Sequence, residues 1–306
     1  MAIPDFASRT PICKGWSADR KYRAVTADGT QYLLRISGTE RYEACKTLFP
    51  LLEKLAERGV PMSRPLEYGL CEEGVYALYT WIDGEDGEDA IPLLAGPEQY
   101  RLGKRSGEIL REIHSIPAPS TQEAWDTRFN RKTDGKIEKY LACPLHFPGD
   151  SAMIGYIEDN RGLLQGRPQC FQHGDYHIGN MMMEHGELVI IDFDRFDFGD
   201  PWEEFNRIVW CAQKCPRFAA GQLDGYFGGT PPLEFFWLLA FYIASNTLSS
   251  IYWAIPFGQG EVDTMMKQSQ DVLSWYRNMQ DPVPSWYRAC AAETAPDAAP
   301  FGRGVR

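Results

Sequence analysis

Three short segments hold the residues able to do chemistry. They are His173-Gly174-Asp175-Tyr176-His177-Ile178-Gly179-Asn180, then Ile191-Asp192-Phe193-Asp194, then Gly199-Asp200-Pro201. Asp175 and Asn180 stand five residues apart, and Asp192 follows twelve later at the end of an apolar run. Phosphoryl transfer needs a carboxylate to orient the attacking hydroxyl and take its proton, and it needs oxygen ligands for magnesium bridging the phosphates. A loop can present Asp175 and Asn180 to one cleft, and a tight hairpin at Glu184-His185-Gly186-Glu187 returns Asp192 beside them. The plainer reading of Asp175 is a turn residue next to Gly174, but a turn does not account for all three side chains at these separations. His173 and His177 have H-x-x-x-H spacing, yet a zinc site of that kind needs a continuous helix and a Glu after the first His. Gly174 and Gly179 break the helix, and the Glu is missing.

Composition sets the frame that must position these residues. A chain of 306 residues makes one large or two ordinary domains at ~100–200 residues each. Its 44% hydrophobic and 24% charged residues are those of a folded globular protein, which excludes a disordered or fibrous chain. The net charge of −11 opposes nucleic-acid binding and favours a cationic small substrate. Eight cysteines are scattered, mostly through apolar segments, and read as reduced core residues. Cys211 and Cys215 can share a helix face, but no nearby pair completes a zinc tetrahedron. From Met1 to Lys14 charges and a Pro stand where a signal peptide needs an apolar run, so a cytoplasmic location is expected. Phe235 to Ile255 is interrupted by Ser245, Asn246, Thr247, Ser249 and Ser250, which predicts a buried helix and no membrane contact.

Along the chain, Trp16 to Ser37 alternates around Asp28-Gly29, a hairpin signal. Glu40 to Arg58 has helical spacing and stops at Gly59 and Pro61. Glu67 to Ile82 returns to strand character, split by Glu72-Glu73-Gly74. The first eighty residues therefore predict strand, strand, helix, strand, strand. After an acidic run from Asp83 to Asp89 the periodicity is mainly helical, over 99–114, 149–164, 202–212, 232–252 and 261–279. The Ala- and Pro-rich segment 291–306 has no periodicity and predicts a disordered tail. No internal repeat is present.

His173-Gly174-Asp175 through Asn180, with Ile191-Asp192-Phe193 and Gly199-Asp200-Pro201, resembles the aminoglycoside phosphotransferase family of protein-kinase-like small-molecule kinases. The D-x-x-x-x-N separation is also that of kinase catalytic loops. The resemblance covers about Trp16 to Trp275. It implies an α+β, bilobal protein-kinase-like fold, with a small antiparallel-sheet nucleotide lobe over 1–81 and a larger, mainly helical lobe over 82–290. It implies Asp175 as catalytic base, Asn180 and Asp192 as magnesium ligands, Asp200 as a structural carboxylate and His173 as an orienting residue. In the small lobe it implies Arg35 against the nucleotide phosphates, paired with Glu43 on the next helix. Lys21 and Arg20 compete for that role, and Arg35 also reads as a strand residue reaching solvent. Ser17 falls in a phosphate loop that has only Gly15 in place of a glycine-rich motif. Thr80, Trp81 and Ile82 fall at the hinge, whose backbone would read the base of ATP, or of GTP. Asp83 and Glu85 past the hinge, and Glu203 and Glu204 at a helix start, are either solvated acids or contacts for a polyamine acceptor.

The expected activity is magnesium- and ATP-dependent transfer of a phosphoryl group to a hydroxyl of a cationic small molecule, first an aminoglycoside-type antibiotic. Choline, a methylthio-sugar, a fructosamine, homoserine or a macrolide are the other acceptors the superfamily implies. A nucleotide-binding regulator without turnover is disfavoured because Asp175, Asn180 and Asp192 are all present. Oligomeric state is not legible in the sequence.

Overall fold

The computed structural model describes residues 3–14 and 19–294. The chain forms two compact units, Met1–Gly87 with Met181–Ile191, and Glu88–Asn180 with Asp192–Arg306.

The first unit is built on five antiparallel strands in the order β1-β2-β3-β5-β4. These are β1 (Ser8–Ile12), β2 (Arg20–Val25), β3 (Gln31–Ser37), β4 (Pro65–Cys71) and β5 (Gly74–Thr80). Strand β1 is one more than the sequence reading gave; it pairs along β2 through Thr10 opposite Arg23. The Asp28-Gly29 turn closes β2 on β3: Gly29 takes φ +88°, and Asp28 accepts from the Thr26 hydroxyl at 2.6 Å. Helix α1 (Tyr42–Glu57) lays Leu48, Phe49, Leu52 and Leu55 inward at helical spacing. Burial of each such side chain is worth roughly 1.5–3 kcal/mol, and Phe49 meets Tyr68 and Tyr79 at 4.7 and 5.4 Å.

Part of the acidic run becomes structure. β6 (Glu85–Asp86) pairs with β8 (Met181–Glu184), which pairs with β9 (Glu187–Ile190), and α2 (Gly87–Ala90) follows β6. Ile190 donates to Pro61 O at 2.9 Å and Ser63 donates to Ile190 O at 3.2 Å. These bonds place the 181–191 hairpin in the first unit, and the first stretch of that unit ends at Gly87 rather than Trp81.

The second unit is mainly helical: α3 (Gly96–Ile113), α4 (Trp125–Leu141), α5 (Asp150–Asn160), α6 (Ile208–Lys214), α7 (Pro216–Phe227), α8 (Leu233–Ala254), α9 (Gln259–Trp275) and α10 (Ser285–Thr294). A two-stranded ribbon pairs β7 (Cys170–Gln172) with β10 (Asp197–Gly199), and the loop that begins at His173 follows β7. Helices α3 and α7 touch backbone to backbone because glycines recur every four residues on both. A Cβ at Gly103 or Gly107 would strike Phe218 O or Gln222 O, and one at Gly221 or Gly225 would strike Tyr100 O or Lys104 O. Among the described residues one helical stretch, Leu233–Phe257, is long and apolar enough to cross a membrane; most of it is buried inside the protein, the mark of a core helix. Residues 291–294 continue α10, so the expected tail does not begin at 291; its remainder lies outside the described residues.

Candidate active site

His173 to Asn180 leaves β7 as an irregular loop fixed from three sides. Gly174 has φ +84°, and a Cβ there would collide with Arg195 O, so only glycine fits both the conformation and the space. Gly174 and Tyr176 donate to the Glu204 carboxylate at 3.0 and 3.4 Å. Ile178 donates to the Cys211 sulfur at 3.3 Å. Burial first of all pushes the Cys211 thiol up to about 12, so the sulfur that accepts this bond is neutral. Asp175 donates its N–H to His173 Nδ1 at 3.2 Å, and His173 is buried against Phe193 with ring centroids 4.4 Å apart. Gly174→Ala is therefore expected to destabilise the loop by roughly 1–3 kcal/mol. Urea unfolding, with nucleotide turnover measured alongside, checks this, and an unchanged midpoint with full turnover would refute it.

The loop presents the Asp175 carboxylate at 19% side-chain exposure, with Arg207 Nε at 3.2 Å, Arg195 Nη1 at 3.8 Å and His177 Nε2 at 3.8 Å. Burial works against the charge, but the His177 contact and the Arg207, His177 and Arg195 charges outweigh it and hold the carboxyl well below the usual range. Asp175 is thus an ionised acceptor at neutral pH. Asn180 donates its Nδ2 to Asp175 O at 2.8 Å, which fixes the carboxamide with its oxygen left to serve as a ligand. Asp192 takes a left-handed conformation, φ 66° and ψ 59°, immediately past the hairpin. Met181 pairs with Ile190 at the base of that hairpin, so chain leaving Asn180 returns at Asp192.

Asn180 and Asp192 supply hard oxygen donors, both only partly buried. Magnesium suits such a pair, because it binds through one or two protein oxygens and completes its octahedron with phosphate oxygens and water. No group of three or more His, Cys, Asp or Glu able to hold a metal occurs among the described residues, and a site of this kind does not require one.

Asp200 is fully buried one residue past β10. It accepts from Arg167 Nε and Nη2 at 2.7 and 3.0 Å, from Trp202 N at 3.0 Å and from the Tyr242 hydroxyl at 2.6 Å. Its own carbonyl accepts from Gln172 Nε2 at 2.9 Å, which ties the corner to β7.

Glu203 and Glu204 do not stand together as surface acids. Glu204, 1% exposed, faces the 173–180 loop and has His114 Nε2 at 3.7 Å. Burial raises its pKa, and His114, His173 and the Gly174 N–H outweigh burial to lower it. Glu203 accepts from Gln172 at 3.2 Å and has Lys132 at 3.8 Å. Neither carboxylate points freely to an acceptor. Sequence reasoning also passed over Arg195 and Arg207 and took His177 only for a zinc question. Arg195 directly follows Asp194 and offered a local signal, whereas Arg207 reaches Asp175 only through the fold.

In the first unit Arg35 is 5% exposed and pairs with Asp19 at 2.8 Å. Glu43 is 77% exposed at its side chain and lies 3.5 Å from Lys46, so the structure sets Glu43 beside Lys46 and Arg35 beside Asp19. An exposed Glu at the start of α1 gains more from solvent and a neighbouring Lys than from a buried strand. Lys21 lies directly across from Arg35 in the ladder, and Arg20 pairs with Glu73 at 2.6 Å. Ser17 lies outside the described residues. Where the hinge is expected, Thr80 is engaged: its N–H donates to Arg64 O and its carbonyl accepts from Ser63. The ladder ends there, and Trp81 and Ile82 run past it with Arg23 over the Trp81 ring at 5.3 Å. Asp83 and Glu85 are exposed; the Asp83 N–H donates to Glu184 at 2.8 Å.

No curated protein matches the sequence. Solved structures match its fold. Aminoglycoside phosphotransferase APH(4)-Ia, as a thermostable mutant, has a TM-score of 0.63 at 16% identity over 88% of this chain and 94% of its own. Amicoumacin kinase hAmiN, in complex with AMP-PNP, Ca2+ and Ami, gives 0.64 at 13% over 92% and 91%. A choline/ethanolamine kinase family protein from Mesorhizobium loti gives 0.63 at 17% over 90% and 91%. These likenesses give an α+β, protein-kinase-like fold. The family model of the phosphotransferase enzyme family (APH) matches residues 8–236, three quarters of the chain and every segment from β1 through the 173–180 loop and Asp200, and the protein belongs to that family.

Proposed function

We propose that this phosphotransferase moves the γ-phosphoryl group of ATP, or of GTP, to a small-molecule hydroxyl oriented by Asp175. The observation that carries this is the pairing of an ionised Asp175 with Asn180, whose carboxamide is fixed on the Asp175 carbonyl. Asp175 accepts the hydroxyl's hydrogen bond, aims its oxygen at phosphorus and takes the proton as the bond forms. Asn180 and Asp192 would hold magnesium, which, when bound, neutralises charge on the phosphates. Arg35 places a cation on β3 for the phosphates. Arg195 and Arg207 keep Asp175 ionised and hold its orientation.

An aminoglycoside acceptor, the first expectation from the sequence, is the narrower reading, favoured by the exposed Asp83 and Glu85 and by the fold shared with APH(4)-Ia. Against it, Glu203 and Glu204 are already committed within the protein. The deciding experiment follows nucleoside-diphosphate release with Mg²⁺ and ATP, then GTP, across aminoglycosides, macrolides, choline, sugars and hydroxy acids. Acceptor-dependent release supports transfer to a hydroxyl, and its absence across every acceptor class would count against the reading. Arg35→Lys keeps the charge and loses the fork. It is expected to raise the nucleotide KM roughly tenfold with a smaller change in kcat; an unchanged KM would remove Arg35 from the phosphate site.

A further inference from the structure

Lys132 and Lys136 stand one turn apart on α4 and share the Phe129 ring, 5.5 and 5.9 Å from its centroid. Lys132 Nζ is 3.8 Å from Glu203. Lys136 is partly buried, and its Nζ lies 3.5 Å from the Ser245 hydroxyl on α8. Among the described residues Lys136 has no ion-pair partner. Burial, then repulsion from Lys132 and Arg207 only partly offset by Glu203, pushes its pKa down to about 7. Glu203 and Arg207 are the two ends of one short helical turn, Glu203–Arg207, and Arg207 has its Nε 3.2 Å from Asp175, so the turn runs from Lys132 to the Asp175 carboxylate.

Lys132, Lys136 and Arg207 thus bring three cations to a neighbourhood that holds two carboxylates, Glu203 beside Lys132 and Asp175 beside Arg207. A protein gains no stability from holding an unpaired ammonium out of water. A polyamine would be repelled here, whereas an oxyanion would complete the charge balance and offer Lys136 the partner it lacks.

Resting on the phosphotransferase reading of the Asp175 site, we propose that the acceptor carries an oxyanion, a carboxylate or a phosphate, near the hydroxyl that is phosphorylated, and that Lys136, Lys132 and Arg207 bind it. An anion favours the charged form of Lys136, so binding takes up a proton above pH 7 and weakens as pH rises. Below pH 7 Lys136 is already charged and uptake falls away. Lys132, Arg207, Glu203 and the Ser245 hydroxyl are the groups that face Lys136 and set this response.

The test is titration calorimetry on the full chain at pH 6.5 and 8.5, in two buffers of different ionisation enthalpy. The probes are D-glycerate, D-ribose 5-phosphate, inorganic phosphate, neutral ribose and kanamycin, and nucleoside-diphosphate release is followed on the same set. At least one anionic probe is expected to bind with proton uptake at pH 8.5; glycerate against ribose 5-phosphate separates a carboxylate from a phosphate. Lys136→Met is expected to weaken that binding about tenfold or more and leave the nucleotide KM within about twofold. Its melting temperature should hold or rise, because an unpaired charge is removed. Failure of every anionic probe, inorganic phosphate included, overturns the proposal. So does kanamycin or ribose binding that Lys136→Met leaves unchanged, or a variant whose only defect is in nucleotide KM. Anion binding that depends on Lys136, with no acceptor-dependent nucleotide consumption on these probes or on any acceptor class named above, would instead sink the phosphotransferase reading and leave the anion site standing.

Discussion

Asp175→Asn folds like the parent, binds nucleotide and turns over ~10²–10⁴ times more slowly. Asn has the shape of Asp, and the bonds that hold the loop at this position come from the backbone: the Asp175 N–H on His173 and the Asp175 carbonyl under Asn180. The substitution therefore removes a proton acceptor and a charge and little else. Because three cationic or protonatable groups hold the carboxyl ionised, its protonation cannot limit activity between pH 5 and 8, and any acid limb there belongs to another group. The sign of the stability effect follows from the same shift. A carboxyl lowered in the native state stabilises it fully above the unfolded value of about 3.9, and that contribution disappears as pH falls through the lower native value. Parent and variant should differ most in urea midpoint near neutral pH and converge in strong acid. Steady-state release of nucleoside diphosphate, with a nucleotide-binding titration beside it, measures the catalytic part. Turnover within tenfold of the parent would remove Asp175 from the chemistry.

The residues proposed to react were legible as a group because their arrangement is local. Asp175, Asn180 and Asp192 lie within one loop and one hairpin, and the glycines and apolar runs that shape both are written in that stretch. The Asp28-Gly29 turn and the α1 stop at Gly59 were legible for the same reason. What escaped depends on partners distant in sequence. Glu204 reads as a helix-start acid until the loop folds over it, and Arg35 reads as a partner for Glu43 until Asp19 is brought alongside. Helix α7 was hidden because Pro216, Gly221 and Gly225 look like breakers; the glycines are there so that α3 can approach its backbone. Helix α4 was hidden by polarity, since Arg131, Lys132, Asp134, Lys136 and Lys139 mask a short buried face of Trp125, Phe129, Thr133 and Tyr140. That polar helix holds the two lysines from which an anionic acceptor is proposed. The net charge of −11 favours a cationic one, and a summed charge does not set the sign of the field at one site.

Asp200→Ala should cost about 3–5 kcal/mol, the penalty for breaking a buried ion pair from one side, and lower the melting temperature by roughly 6–20 °C for a unit of this size. The loss of the carboxylate strands several groups at once. Arg167 gives up both of its hydrogen bonds while stacked 3.7 Å over the Trp202 ring, and the Tyr242 hydroxyl keeps Trp125 as donor but loses its acceptor. Burial already drives the Tyr242 hydroxyl well above its ordinary pKa, so it cannot ionise to compensate. The damage should spread to catalysis, because Gln172 binds the Asp200 carbonyl and leads directly into His173, Gly174 and Asp175. A double variant separates the two explanations for such a loss. If an uncompensated Arg167 is the cause, Asp200→Leu with Arg167→Met should recover more than half of the stability lost by Asp200→Ala, since well-packed apolar groups can replace a buried ion pair with little penalty. If the carboxylate matters mainly as the acceptor for Trp202 N and Tyr242, the double variant should stay as unstable as the single one. A single variant that loses less than about 1 kcal/mol would mean that the corner after β10 is held by its backbone, and that Asp200 does not brace the loop.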